Sequence, residues 1–171
     1  AADLLVALAI LKPGEDLEFA HPIVRQAVYA DSGFHERARA HARAARILAE
    51  CGAAEERIAT QIMQASPAGE AGRVGLLRRV ARDALIRGAP SAAVVWLSRA
   101  LAEPPPPALR AEVQLELGTA ELRLAAPQAA ERLSAAAQGV RAPELRAFAV
   151  RQLANALSLQ GDADGAIAAI E

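Results

Sequence analysis

The feature that most constrains this chain is a short turn that recurs at a nearly constant interval. Cys51-Gly52-Ala53, Arg87-Gly88-Ala89, Leu124-Ala125-Ala126 and Gln160-Gly161-Asp162 follow one another at steps of 36, 37 and 36 residues. Each interval holds two apolar-periodic runs, so each reads as a pair of helices. A fixed period of this size is the mark of stacked supersecondary units that bury a shared face. Composition agrees with that reading. The chain is 53% apolar but 3% aromatic, and roughly a quarter of it is Ala. Such a chain suits closely packed helices with aliphatic seams.

The periodicity predicts helices over 34–50, 54–65, 72–87, 91–102, 108–124, 128–139, 144–159 and 164–171, joined by short Gly/Pro breaks as antiparallel pairs. Small residues recur at fixed offsets from the turns. Ala93, Ala130 and Ala166 lie five residues after the last three, and Ala81, Gly118 and Ala154 lie seven before them. They let the two helices of a pair approach closely. Leu97 and Ile170 take the next inward position, where Ser134 departs from the pattern; Ala100 and Ala137 follow. Pro104 to Pro107 reads as a polyproline spacer that lengthens the middle step, and Pro105 and Ala142 fall where a tetratricopeptide unit, which the chain resembles, usually carries its terminating Pro. The first pair fits worst, with Arg57 in an Ala position, and reads as a cap docked on what precedes it. The period lies just above the ~34 residues of a tetratricopeptide (TPR) unit, which the chain resembles.

The first 33 residues differ. The run 1–11 should be helical, and Lys12-Pro13-Gly14-Glu15-Asp16 should break it. Leu17-Glu18-Phe19 alternates like a short strand that could pair with 10–12 in a β-hairpin. His21-Pro22 then opens a helix, with Pro at the first position, ending near Asp31-Ser32-Gly33. Helix, hairpin and helix in this order look like the end of a winged-helix domain. The expected architecture is thus all-α: a TPR-like solenoid of antiparallel helix pairs over 34–171, preceded by a partial winged helix with a short β-hairpin over 1–33. The sequence opens at Ala1 and closes at Glu171 inside a helical run, so it reads as a piece of a longer protein.

Several function classes find no support in the residues. Lys+Arg is 19 and Asp+Glu is 20, giving no general pull on nucleic acid or anionic lipid. Cys51 is the single Cys and forms no intrachain disulfide, so a reducing cytoplasm is the default and the thiol is expected to pack near a helix end. There is no run long enough for a membrane span and no signal-peptide pattern. No GxxxxGK[ST] or GxSxG occurs. His35-Glu36-Arg37-Ala38-Arg39 begins like HExxH but ends in Arg, and His35 and His41 are six apart, about 240° around a helix. The expectation is therefore no catalysis and no metal in this piece. Arg39, Arg43 and Arg46 form a stripe, and Arg78, Arg79 and Arg82 a smaller cluster, read as solvated or interdomain faces rather than a nucleic-acid patch. Trp96 reads as packing; Tyr29 and Phe34 are expected to wedge the two parts together.

His21 sits in Phe19-Ala20-His21-Pro22-Ile23-Val24-Arg25-Gln26-Ala27-Val28-Tyr29. By its residues alone it is a capping or core His. The segment, however, resembles the one that closes the winged helix of STAND-type signalling ATPases, and more narrowly the large ATP-binding regulators of the bacterial LuxR family. That resemblance implies an ATPase core upstream, TPR-like helices here, and a helix-turn-helix downstream. It implies that His21 reaches the β-phosphate of ADP bound in the full-length protein, and that this piece holds no cofactor itself. Its imidazole and the helix N-terminus both suit an anion. Pro22 replaces the acidic residue of many relatives, so no hydrogen bond from that position carries over. The implied partners are the protein's own ATPase domain and an inducer, small molecule or protein, on the helical repeats. The alternative is a stand-alone TPR adaptor for peptides; the repeats lack Lys and contain Asn155 as their one Asn, so no carboxylate clamp is evident.

Overall fold

The structure, a computed structural model, describes residues 2–14 and 18–170. The chain is all-α over these residues, with ten helices. They are α1 (Ala2–Ala7), α2 (Pro22–Asp31), α3 (Phe34–Glu50), α4 (Glu55–Gln64), α5 (Ala71–Ile86), α6 (Pro90–Ala102), α7 (Pro107–Leu122), α8 (Ala129–Gly139), α9 (Pro143–Leu159) and α10 (Ala163–Ala168). From α3 onward they pack as sequential antiparallel pairs, α3 with α4 through α9 with α10, and successive pairs pack on one another. Among the described residues no helix is long and apolar enough to cross a membrane.

Sequence chemistry sets the helix starts and stops. Pro stands at the beginning of α2, α6, α7 and α9, where a missing N–H leaves no hydrogen bond unmade. The four recurring turns close in one way. Gly52, Gly88, Ala125 and Gly161 all take positive φ, between 51° and 84°. At each, the next N–H reaches five residues back, as Ala53 N to Leu48 O (2.9 Å), Ala89 N to Ala84 O (2.8 Å), Ala126 N to Glu121 O (3.0 Å) and Asp162 N to Leu157 O (3.0 Å). This is a Schellman cap, and it satisfies carbonyls at the helix end that would otherwise lack partners.

The core repeats more regularly than the turns. Leu77, Val113 and Ala149 are fully buried and 36 residues apart, as are Ala84, Ala120 and Ala156. Ala93 and Ala129, Leu97 and Leu133, and Ala100 and Ala136 keep the same spacing in the second helices. The four prolines therefore add nothing to the period, contrary to expectation. The 37-residue step arises in the turn after α7: α5 and α7 both end two residues past the buried Ala84 and Ala120, but the left-handed residue comes four residues after Ala84 (Gly88) and five after Ala120 (Ala125). Aligning by turns is thus one residue out beyond α7. The counterpart of Leu97 is the buried Leu133, not Ser134. For the same reason Ile170, expected to point inward, is 68% exposed. Gly118 serves a local need instead: a Cβ there would stand 2.8 Å from Leu133 Cγ. In the first pair Arg57 is exposed, and Ile58, Ala59 and Ile62 take over the buried face.

The N-terminal segment departs most from expectation. α1 ends at Ala7 rather than at Leu11, because Ala9 turns left-handed (φ 53°) and Ile10 N bonds back to Leu5 O at 2.9 Å. The expected β-hairpin is absent among the described residues. What remains is one antiparallel bridge between Leu11 and Phe19, with Lys12 N donating to Glu18 O (2.7 Å) and Ala20 N to Ile10 O (2.9 Å). Glu15, Asp16 and Leu17, and Glu171 at the end of the last predicted helix, lie outside the described residues. α2 has no buried residue. It is held to the helix pairs by polar contacts: Tyr29 Oη lies 3.0 Å from His41 Nε2, His41 Nδ1 lies 2.7 Å from Gln61 Oε1, and Arg37 donates to the backbone oxygens of Tyr29 and Ser32. Phe34 stays exposed and wedges nothing, and Cys51 is exposed at the C-cap of α3 rather than packed.

Candidate ligand groove

The first helices of three consecutive pairs, α5, α7 and α9, share one face of the stack, and α7 touches α9 directly. A cavity of about 190 Å³ opens there. It is lined by Ala81, Leu97 and Leu115, which are buried, by the half-buried Leu85 and Phe148, and by the exposed Leu145. The spacing explains the lining. Ala81 and Leu85 are i, i+4 on α5, and Leu115 and Thr119 are i, i+4 on α7, so each pair points the same way.

Beside it an ion-pair clamp ties α5 to α7. Arg78 Nη2 donates to Glu112 Oε2 at 2.8 Å and to Glu116 Oε1 at 3.0 Å, and Arg78 Nε donates to Glu116 Oε2 at 2.9 Å. Arg82 Nη2 donates to Glu116 Oε1 at 2.6 Å. Planar guanidinium and carboxylate groups match in this two-pronged geometry. Partial burial is the largest single effect on the Arg78 charge and opposes it. The hydrogen bonds and attraction from Glu116 and then Glu112 outweigh it together, so the Arg78 pKa is raised. Arg79 points elsewhere, to Glu55 at 2.7 Å, and that hydrogen bond raises its pKa. The arginine cluster singled out in the sequence is thus a set of cross-links between helices. Its glutamates escaped notice, yet a signal existed: Glu112 and Glu116 repeat the i, i+4 spacing of Arg78 and Arg82 almost one period later.

A second buried polar group braces the stack. Glu103 is fully buried at the end of α6. Its Oε2 accepts from Ala68 N (2.7 Å) and Gly69 N (3.0 Å), and its Oε1 lies 2.8 Å from Arg99 Nη2. Arg99 also donates to Ile62 O and Ala65 O at 3.1 and 3.0 Å. The pair fastens the loop 65–70 to the next unit. Its i, i+4 spacing ahead of four prolines was visible in the sequence.

His21 lies far from this groove in sequence, at the N-cap of α2, with extended backbone, an exposed ring and no side-chain capping hydrogen bond. Arg39, Arg43 and Arg46 are exposed on α3, and Arg46 lies 3.8 Å from Glu50. Among the described residues no group of three His, Cys, Asp or Glu is placed to hold a metal ion. Comparison with family models, with curated proteins and with solved structures found no match for this chain.

Proposed function

We propose that this chain is the sensor and regulatory helical segment of a STAND-type, LuxR-family, ATP-dependent transcriptional regulator. In this reading 34–171 is a TPR-like solenoid and 1–33 the closing part of a winged helix. The nucleotide belongs to an ATPase domain elsewhere in the protein, and so does DNA binding. With ADP bound, the N-terminal lobe and the solenoid pack against the ATPase core. Exchange for ATP, aided by an inducer or protein on the repeats, releases them.

The observation that carries the reading is the character of α2. It exposes the His21 ring at its start and Ile23 and Val28 along its length, while its other end is tied to the helix pairs through Tyr29 and His41. A helix with no buried residue and a free imidazole at its N-terminus suits docking on another domain that holds an anion. The recurring Schellman turn and the 36-residue core spacing support the solenoid half. The test is ADP release from the full-length protein. His21→Ala should speed release; unchanged ADP retention refutes the switch role. Tight capture of a peptide by the chain without nucleotide would favour the adaptor instead.

A further inference from the structure

His41 occupies a place that the rest of the stack gives to an apolar core residue. It stands 36 residues before Leu77, in the rank that Leu77, Val113 and Ala149 fill, fully buried, in the next three layers. Ala38 and Ala45, one turn to either side of it on α3, are buried and apolar, so the exception is local. The imidazole meets two polar partners. Gln61 Oε1 on α4 lies 2.7 Å from Nδ1, and Tyr29 Oη on α2 lies 3.0 Å from Nε2. A carboxamide oxygen accepts and does not donate, so Nδ1 carries the hydrogen and Nε2 accepts from the Tyr29 hydroxyl.

Little that is apolar backs this contact. No residue of α2 is buried, so lifting α2 off α3 uncovers little of the surface that ordinarily holds a helix in place. The remaining tie is polar as well: Arg37 donates to Tyr29 O at 3.2 Å and to Ser32 O, and its guanidinium lies 5.2 Å from the Tyr29 ring centroid. α2 and α3 are joined by two extended residues, Ser32 (ψ 132°) and Gly33 (ψ 153°). A Cβ on Gly33 would meet nothing within 4 Å, so packing does not oppose a change of backbone angle there.

We propose that Tyr29, His41 and Gln61 form a latch, and that α2 moves between a docked and a released position about Ser32 and Gly33 while the helix pairs stay folded. Release exchanges protein hydrogen bonds for bonds to water, which brings the two positions close in free energy. Whatever engages α2 then sets its position relative to the stack.

The experiment measures the distance between two spin labels in the 171-residue chain by pulsed dipolar spectroscopy. One label is on Cys51, the single cysteine, exposed at the end of α3. The other is at Ala27→Cys, two positions from Tyr29 and on the other side of α2. Thermal unfolding is followed in parallel by circular dichroism. A docked and a released distance are expected, and His41→Leu should lower the ratio of docked to released about fivefold, the worth of one net hydrogen bond. The thermal midpoint should hold or rise, since Leu is the residue this rank carries at Leu77. Tyr29→Phe should lower the ratio equally, and the two together no further than either alone, because both break one contact. One narrow distance that His41→Leu leaves unchanged overturns the latch, as does a double variant whose effect is the product of the two. A midpoint lost in His41→Leu makes His41 a core residue and also overturns it. The distances do not involve nucleotide, so this result and ADP release in His21→Ala succeed or fail separately.

Discussion

Gly88 and Ala125 occupy equivalent turns with opposite fitness for them, and exchanging their residue types isolates the energy of one backbone angle. Gly88 has φ 74° and Ala125 has φ 51°. A Cβ built on Gly88 meets nothing within 4 Å, and Ala125 is itself exposed. Neither substitution therefore creates or removes packing. A non-glycine residue in the left-handed region costs about 1–2 kcal/mol. Removing Gly lowers unfolded-state entropy and returns about 0.4–1 kcal/mol. The net for Gly88→Ala is a loss of about 1 kcal/mol, and for Ala125→Gly a gain of similar size. At the scale of this chain, ~1 kcal/mol moves the thermal midpoint by about 2–4 °C. Calorimetry on the two single variants should show shifts of opposite sign, and urea midpoints should move the same way. If Ala125→Gly lowers the midpoint while Gly88→Ala leaves it unchanged, the turns do not share a conformational cost and the equivalence of the four caps fails.

Gly118→Ala places a Cβ against Leu133 Cγ and Cδ2 at 2.8 and 3.0 Å; overpacking should cost about 1–3 kcal/mol by urea denaturation. Glu103→Ala removes the buried partner of Arg99 and frees the Ala68 and Gly69 amides. The expected loss is about 3–5 kcal/mol, with faster hydrogen exchange in the loop 65–70. Tyr29→Phe deletes the hydroxyl at 3.0 Å from His41. It should cost about 0.5–1.5 kcal/mol at most, and amide exchange in α2 should rise while α5 to α9 stay protected.

What was legible in the sequence followed from signals that act locally. α3 spans the predicted 34–50, because Gly33 and Gly52 bracket an Ala/Arg run of clear period. The Pro-led starts of α6, α7 and α9 fell within a residue of expectation for the same reason. What escaped was whatever depended on an unmarked backbone angle or on neighbours one period away. Ala9 stops α1 without a Gly or Pro to announce it. Ala125 marks its turn correctly, yet the extra residue between the end of α7 and Ala125 slides that turn against the core, so Ser134 was matched where Leu133 belongs. The groove was harder still, since Arg78 and Arg82 meet Glu112 and Glu116 once α5 and α7 are stacked. A cluster read one helix at a time looks basic; across two helices it is neutral.

The constancy of the buried spacing has an engineering consequence. Leu77, Val113 and Ala149 hold the same rank in successive layers, so deleting or duplicating a stretch of 36 residues bounded at matching ranks returns every later side chain to the same bearing. Length in this molecule is accordingly a quantity that can be dialled in whole layers, and a gain or loss of any other number of residues has to be absorbed in a turn, as the turn after α7 already does.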